Sequence, residues 1–224
     1  MYLPVMKSYC LYLRQWDAVK SKWNKIPCDI HGKKIDPHNP DNRYTKEECE
    51  PYATWDETRP DAPYGLAWVM TGDGWFFLDL DNCYVDGKWT THATAILHSF
   101  GGALAEVSSS GNGLHIFGRC DPEKLKDRRN KWDGWLEFYT DKRFVALSKD
   151  GPKPYGGEYT DKDWTGELLN FVPEREYLGE LPDGVDETYT GPEDDAQLIQ
   201  MMLNAKGNAC LLYTSDAADE VSPV

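Results

Sequence analysis

One nine-residue segment, WFFLDLDNC (Trp75–Cys83), constrains this chain most. Large apolar residues run into an alternation of Leu and Asp, the period-two signature of a β-strand. Phe76, Leu78 and Leu80 then share one face. Trp75, Phe77, Asp79 and Asp81 share the other. Two carboxylates on one face, about 7 Å apart at their Cα atoms, repel and raise each other's pKa when bare. Two explanations are open. The pair caps a turn through Asx hydrogen bonds, or it converges on divalent cations, and magnesium and manganese favour such oxygen donors.

The surrounding pattern is mixed. Residues 4–25 read as a helix through Leu11, Leu13, Trp16, Val19 and Trp23. Residues 26–64 read as loops with a short helix near Lys46–Tyr52. GLAWVM (65–70), the turn TGDG and WFFLDLD form a hairpin signal. A helix is expected near 90–100, with Ala93, Ile96, Leu97 and Phe100 on one face. ALAEVSS (103–109) and LHIFGR (114–119) flank the turn SGNG. WLEFYT (135–140) and RFVALS (143–148) give a third hairpin around Asp141 and Lys142. These elements predict an α+β fold with a largely antiparallel sheet.

Charge divides the chain. Residues 1–157 hold 21 Lys and Arg against 22 Asp and Glu, while residues 158–224 hold 3 against 16. The net charge of −14 therefore belongs to the tail, and a nucleic-acid surface on the first part is permitted. The expected divisions are 1–160, a catalytic domain; 161–192, an acidic linker; and 193–209, the start of a helical region with a helix over 193–207. Residues 210–224 are set aside, because CLLYTSDAADE (Cys210–Glu220) resembles a translated sequencing adapter. No apolar run approaches the roughly 20 residues that span a bilayer. With no signal-peptide pattern at the start and six scattered Cys, the expected location is the cytoplasm, with reduced thiols. Cys28, His31, His38 and Cys49 are a candidate zinc set of unusual spacing.

Further chemistry lies downstream. In SSSGNGLHIF (108–117) the turn Ser110–Gly113 offers backbone N–H groups to phosphate, and His115 follows from a strand. A buried, satisfied His is the alternative. Glu137 lies between apolar residues of WLEFYT, where an unpaired acid is expensive to bury. It is either a third metal carboxylate or the partner of Arg143. Arg128, Arg129, Lys131 and Trp132 form a basic–aromatic cluster suited to nucleic acid, or a solvated loop with Trp turned inward.

Taken in order, FFLDLDNC, SSSGNGLHIF and LEFYTDKRFVALS resemble the three motifs of the archaeo-eukaryotic primase superfamily, in its phage- and plasmid-borne primase–polymerase branch. The resemblance covers roughly residues 10–150. It implies an RRM-like antiparallel sheet fused to a smaller α/β unit, with the active site in the cleft between. It also implies that Asp79, Asp81 and Glu137 hold Mg²⁺ or Mn²⁺. Ser110, Gly111, Asn112, Gly113 and His115 would hold the nucleotide, with Arg143 and Lys25 near phosphate; Lys25 opens KIPCDIHGKK, similar to a lysine–proline element of these proteins. The expected activity is DNA primase and polymerase chemistry in phage or plasmid replication. The implied partners are a DNA template, dNTP or NTP, and a fused or separate helicase. Two rivals stand beside it: a DxD nucleotide-sugar glycosyltransferase and a non-catalytic nucleic-acid-binding domain.

Overall fold

The computed structural model describes Leu3, residues 7–55, Thr58 and residues 62–175. The helix expected over 193–207 lies outside the described residues.

Where a helix is expected over 4–25, the chain instead forms a hairpin of β1 (Tyr9–Asp17) and β2 (Lys22–Cys28). Tyr9, Leu11 and Leu13 alternate inward, so the true period is two. The short helix near 46 is present as α1 (Lys46–Cys49), with a capping box from Thr45 and Glu48. A single 3₁₀ turn follows it to Tyr52.

Next come β3 (Tyr64–Thr71), β4 (Trp75–Leu80), the small pair β5 (Tyr84–Val85) and β6 (Lys88–Trp89), and α2 (Thr91–Ser99). Thr90 Oγ1 caps α2 by accepting the Ala93 N–H at 3.3 Å. The chain continues with β7 (Leu104–Val107), β8 (Leu114–Arg119), α3 (Pro122–Leu125), β9 (Lys131–Trp132) and β10 (Leu136–Tyr139). It closes with β11 (Asp141–Ala146), β12 (Lys153–Pro154) and α4 (Thr165–Phe171).

Two antiparallel sheets result, of order β11-β3-β1-β2 and β12-β7-β8-β4-β10-β9. The α+β expectation with mainly antiparallel pairing holds. Of the three expected hairpins, β7–β8 forms. The other two do not: β3 and β4 lie in different sheets, as do β10 and β11. Both turns are corners where the chain passes from one sheet to the other. Trp68 and Trp75 pack edge to face across the first corner at 6.1 Å.

The strand β4 is buried on both faces, which is why it reads as a continuous apolar run. Phe76, Leu78 and Leu80 meet Ala93, Phe100, Trp164 and Leu168 on the helical side. Trp75 and Phe77 meet Tyr9, Leu11, Trp68 and Phe117 between the sheets. Each fully buried large side chain contributes about 1.5–3 kcal/mol. Because α4 supplies Leu168, and Val172 follows it into the same core, the folded unit runs past residue 160. The linker expected from 161 does not begin there. Cys10, Cys28, Cys49, Cys83 and Cys120 are buried free thiols. Among the described residues, no helix is long and apolar enough to cross a membrane.

Candidate active site

One row of charged residues crosses the six-stranded sheet. Glu106, His115, Asp79, Glu137 and Lys131 are successive cross-strand partners on β7, β8, β4, β10 and β9. Directly opposed residues share a face, so all five project to the side that packs on the four-stranded sheet. Three separate stretches of sequence are thereby brought to one line.

His115 is 5% exposed and sits between two carboxylates. Its Nδ1 lies 2.8 Å from Glu106 Oε1, and its Nε2 lies 3.6 Å from Asp79 Oδ1, beyond a good hydrogen bond. The ring is thus the buried, hydrogen-bonded imidazole of the second reading rather than a group facing open nucleotide, and its Nε2 edge faces Asp79. Glu106 is itself 7% exposed. Its Oε2 accepts the Ser148 N–H at 3.1 Å and the Ser148 hydroxyl at 2.9 Å. Sequence reasoning missed both. A lone Glu in an alternating strand reads as solvent-facing, and the pairing of β7 with β8 is what directs it inward.

Asp79 carries the unusual environment. Its Oδ1 is buried and accepts no hydrogen bond. Burial pushes its pKa up to about 6; Asp81 and Glu137 add to that, while His115 and Arg143 oppose it. Asp81 is half-buried and its pKa is also raised, by burial first and then by Glu137. The backbone N–H of Asp81 donates to Trp135 O at 2.8 Å, which fixes the strand exit. Asn82 follows at φ 50°, a left-handed conformation that Asn tolerates.

Glu137 stands beside Asp79, but its carboxylate is engaged. Arg143 Nη2 donates to Oε2 at 2.8 Å, the Tyr139 hydroxyl donates to the same oxygen at 2.9 Å, and Lys131 Nζ lies 3.2 Å from Oε1. The ion pair with Arg143, one of the two sequence alternatives, is therefore formed. Among the described residues no three His, Cys, Asp or Glu side chains are arranged to hold an ion. Arg143 also lies 4.4 Å over the Tyr139 ring, and its Nε is buried without a partner. Lys25 is close enough for Asp79 and Asp81 to act on its charge, although burial lowers its pKa overall.

The turn after β7 is internally bonded. Ser108 O accepts the Gly111 N–H at 2.9 Å, and Ser108 Oγ accepts the Gly113 N–H at 3.1 Å. Those two amides are therefore not presented to phosphate as expected. Ser110 Oγ donates to Asn112 Oδ1 at 2.5 Å, and Asn112 Nδ2 donates to Asn82 Oδ1 at 3.0 Å. The second bond ties the turn to the end of β4. Gly113 is required sterically: a Cβ there would meet Leu80 O at 2.8 Å. Ser109 Oγ is buried without a partner.

Two expected sets do not form. Arg128 bonds Val172 O and pairs with Glu174, Arg129 bonds Glu174 O, and Trp132 packs on Phe171. These residues anchor the segment after α4 rather than offer a nucleic-acid surface, and Lys131 belongs to the row. Cys28 and Cys49 are buried whereas His31 and His38 are exposed, so the four do not converge on zinc.

No protein-family model matches this chain, and no curated protein matches it significantly.

Proposed function

We propose that this chain is a template-dependent nucleotidyltransferase, a DNA primase–polymerase acting on primed or single-stranded DNA. The buried, unpartnered Oδ1 of Asp79 carries the reading. A buried acceptor that has no hydrogen bond, His115 Nε2 no nearer than 3.6 Å and two further carboxylates beside it is costly unless a closer electropositive group completes it. The strand order adds support: apart from the two-residue strands β5, β6 and β9, the succession β4-α2-β7-β8-α3-β10 is β-α-β-β-α-β, with β7-β8-β4-β10 adjacent in that order. That order agrees with an RRM-like sheet; where the resemblance implies a smaller α/β unit, an antiparallel sheet of β11, β3, β1 and β2 stands instead.

The donor set fits Mg²⁺ or Mn²⁺, since Asp79, on β4, and Asp81, in the turn that follows it, offer only oxygen. Those two residues would hold the cations, with Glu137 joining once released from Arg143. Bound cations would lower the pKa of an attacking 3′-hydroxyl and neutralise the leaving pyrophosphate. The chain's own groups do the rest. Arg143, bonded to Glu137, and Lys25, on whose charge Asp79 and Asp81 act, are the cations that would receive a triphosphate. Its arrival would exchange the Arg143–Glu137 pair for an Arg143–phosphate pair. His115, held through Nδ1 by Glu106, turns Nε2 toward Asp79 Oδ1 at 3.6 Å. Positioning and charge stabilisation supply most of the acceleration in such transfers.

The test is incorporation of labelled dNTP or NTP on primed and unprimed single-stranded DNA with Mn²⁺ or Mg²⁺. Extension that disappears in Asp79→Ala/Asp81→Ala supports the reading. Transfer from a nucleotide sugar, or DNA retention with no transfer, replaces it with one of the two rivals.

A further inference from the structure

The β1–β2 hairpin carries a surface that the site above does not use. Trp16 and Trp23 are cross-strand partners, their rings 5.4 Å apart and edge to face. They are 50% and 43% exposed. The Arg14 guanidinium lies 4.5 Å from the centre of Trp23 and 4.8 Å from that of Trp55. Trp16, Trp23, Arg14 and Trp55 therefore form a continuous ladder from solvent into the fold.

The ladder is held in place. Asp17 Oδ1 accepts the Val19 and Lys20 N–H groups, each at 3.0 Å, and Oδ2 accepts from Asn24 at 3.4 Å. The hairpin's single acid thus fixes its turn. Against it, residues 14–25 hold Arg14, Lys20, Lys22 and Lys25, a local excess of positive charge in a chain of net charge −14. Lys20 and Lys22 are exposed, and among the described residues no ion pair engages either.

Exposed aromatic faces with cations at their margin match one ligand chemistry: unpaired bases joined by phosphates. Duplex DNA stacks its base faces away from such a surface. Position agrees. Lys25, two residues along the strand from Trp23 and hence about 7 Å away, already feels Asp79 and Asp81.

We propose that the β1–β2 hairpin is a platform for single-stranded DNA, with Trp16 and Trp23 stacking on bases and Lys20 and Lys22 meeting phosphates. The choice of DNA rests on the nucleotidyltransferase reading. Its test needs neither metal nor nucleotide, so the two can fail separately.

Binding of labelled dT20 to the full chain is followed by anisotropy in EDTA, over a range of salt. Trp16→Ala/Trp23→Ala weakens binding about tenfold or more, whereas Trp16→Phe/Trp23→Phe keeps most of it. Lys20→Gln/Lys22→Gln flattens the slope of log affinity against log salt by about one to two. A wild type that binds dT20 through the tryptophans yet incorporates no nucleotide overturns the polymerase reading and leaves this one standing. The platform is overturned if the Trp→Ala pair, with unchanged circular dichroism and melting, binds within twofold of wild type. It is equally overturned if that pair alters only the oligomeric state.

Discussion

His115 Nδ1 lies 2.8 Å from Glu106 Oε1 across the β7–β8 pair, and both residues are buried. Ser148 holds the other carboxylate oxygen from beyond β11. The imidazole is fixed by a carboxylate that is itself fixed, so its free edge points one way. Glu106→Gln keeps the shape and removes the charge. Primer extension should fall about 10–100-fold, as for a slightly misplaced group. Thermal unfolding should report a loss of about 1–3 kcal/mol, since hydrogen bonds to charged groups are at stake. Ser148→Ala should cost less by both measures.

Asp79 makes stability depend on pH. Its folded pKa of about 6 stands above the ordinary carboxylate value. Between about pH 4 and pH 6 the folded chain holds a proton here that the unfolded chain has released. Stability therefore falls as pH rises through that window. The loss is complete above it, on the order of 3 kcal/mol. Asp79→Asn should remove this dependence and melt higher than wild type at pH 7–8 without added cations, while losing extension activity. Denaturation across pH 4–8 checks both halves.

Arg143 ties Glu137 by one 2.8 Å hydrogen bond and stacks on Tyr139. Arg143→Ala should raise the KM for the nucleotide about 10–100-fold, the size of a charge-assisted bond. Steady-state kinetics on a primed template separates this from a fall in kcat alone.

Gly113→Ala would push a Cβ to 2.8 Å from Leu80 O and 2.9 Å from Ser108 Oγ. Backbone on one side leaves little room to relax. Melting should show a loss of about 1–3 kcal/mol. Gly111→Ala meets no atom within 4 Å, but its φ of +81° strains any L side chain, so a smaller loss is expected there.

Several elements were legible because their signals are local. LHIFGR is a strand with the expected ends, α2 and α1 sit where their patterns place them, and Asp79 lies near the end of β4 as its pattern predicts, while the strand stops at Leu80 and Asp81 falls in the turn after it. The first hairpin was not legible. Its turn, Ala18–Ser21, has no Gly, Pro or Asn, and Ser21 takes φ 50° under the hold of Asp17. TGDG looked like a hairpin turn and is a corner between sheets, because β4 finds β8 and β10 as partners rather than β3. Turn chemistry reports a reversal and not which strand is met afterwards. The acids of the site were visible one at a time. Their alignment with Glu106, and the engagement of Glu137 by Arg143, depend on pairings between residues far apart in sequence.

Calorimetric titration of Mn²⁺ into the metal-free protein, wild type against Asp79→Asn, tests the role of the unpartnered Asp79 oxygen most directly. Wild type should bind Mn²⁺, and the variant at least tenfold more weakly. Equal affinity and stoichiometry in the two proteins would contradict the account.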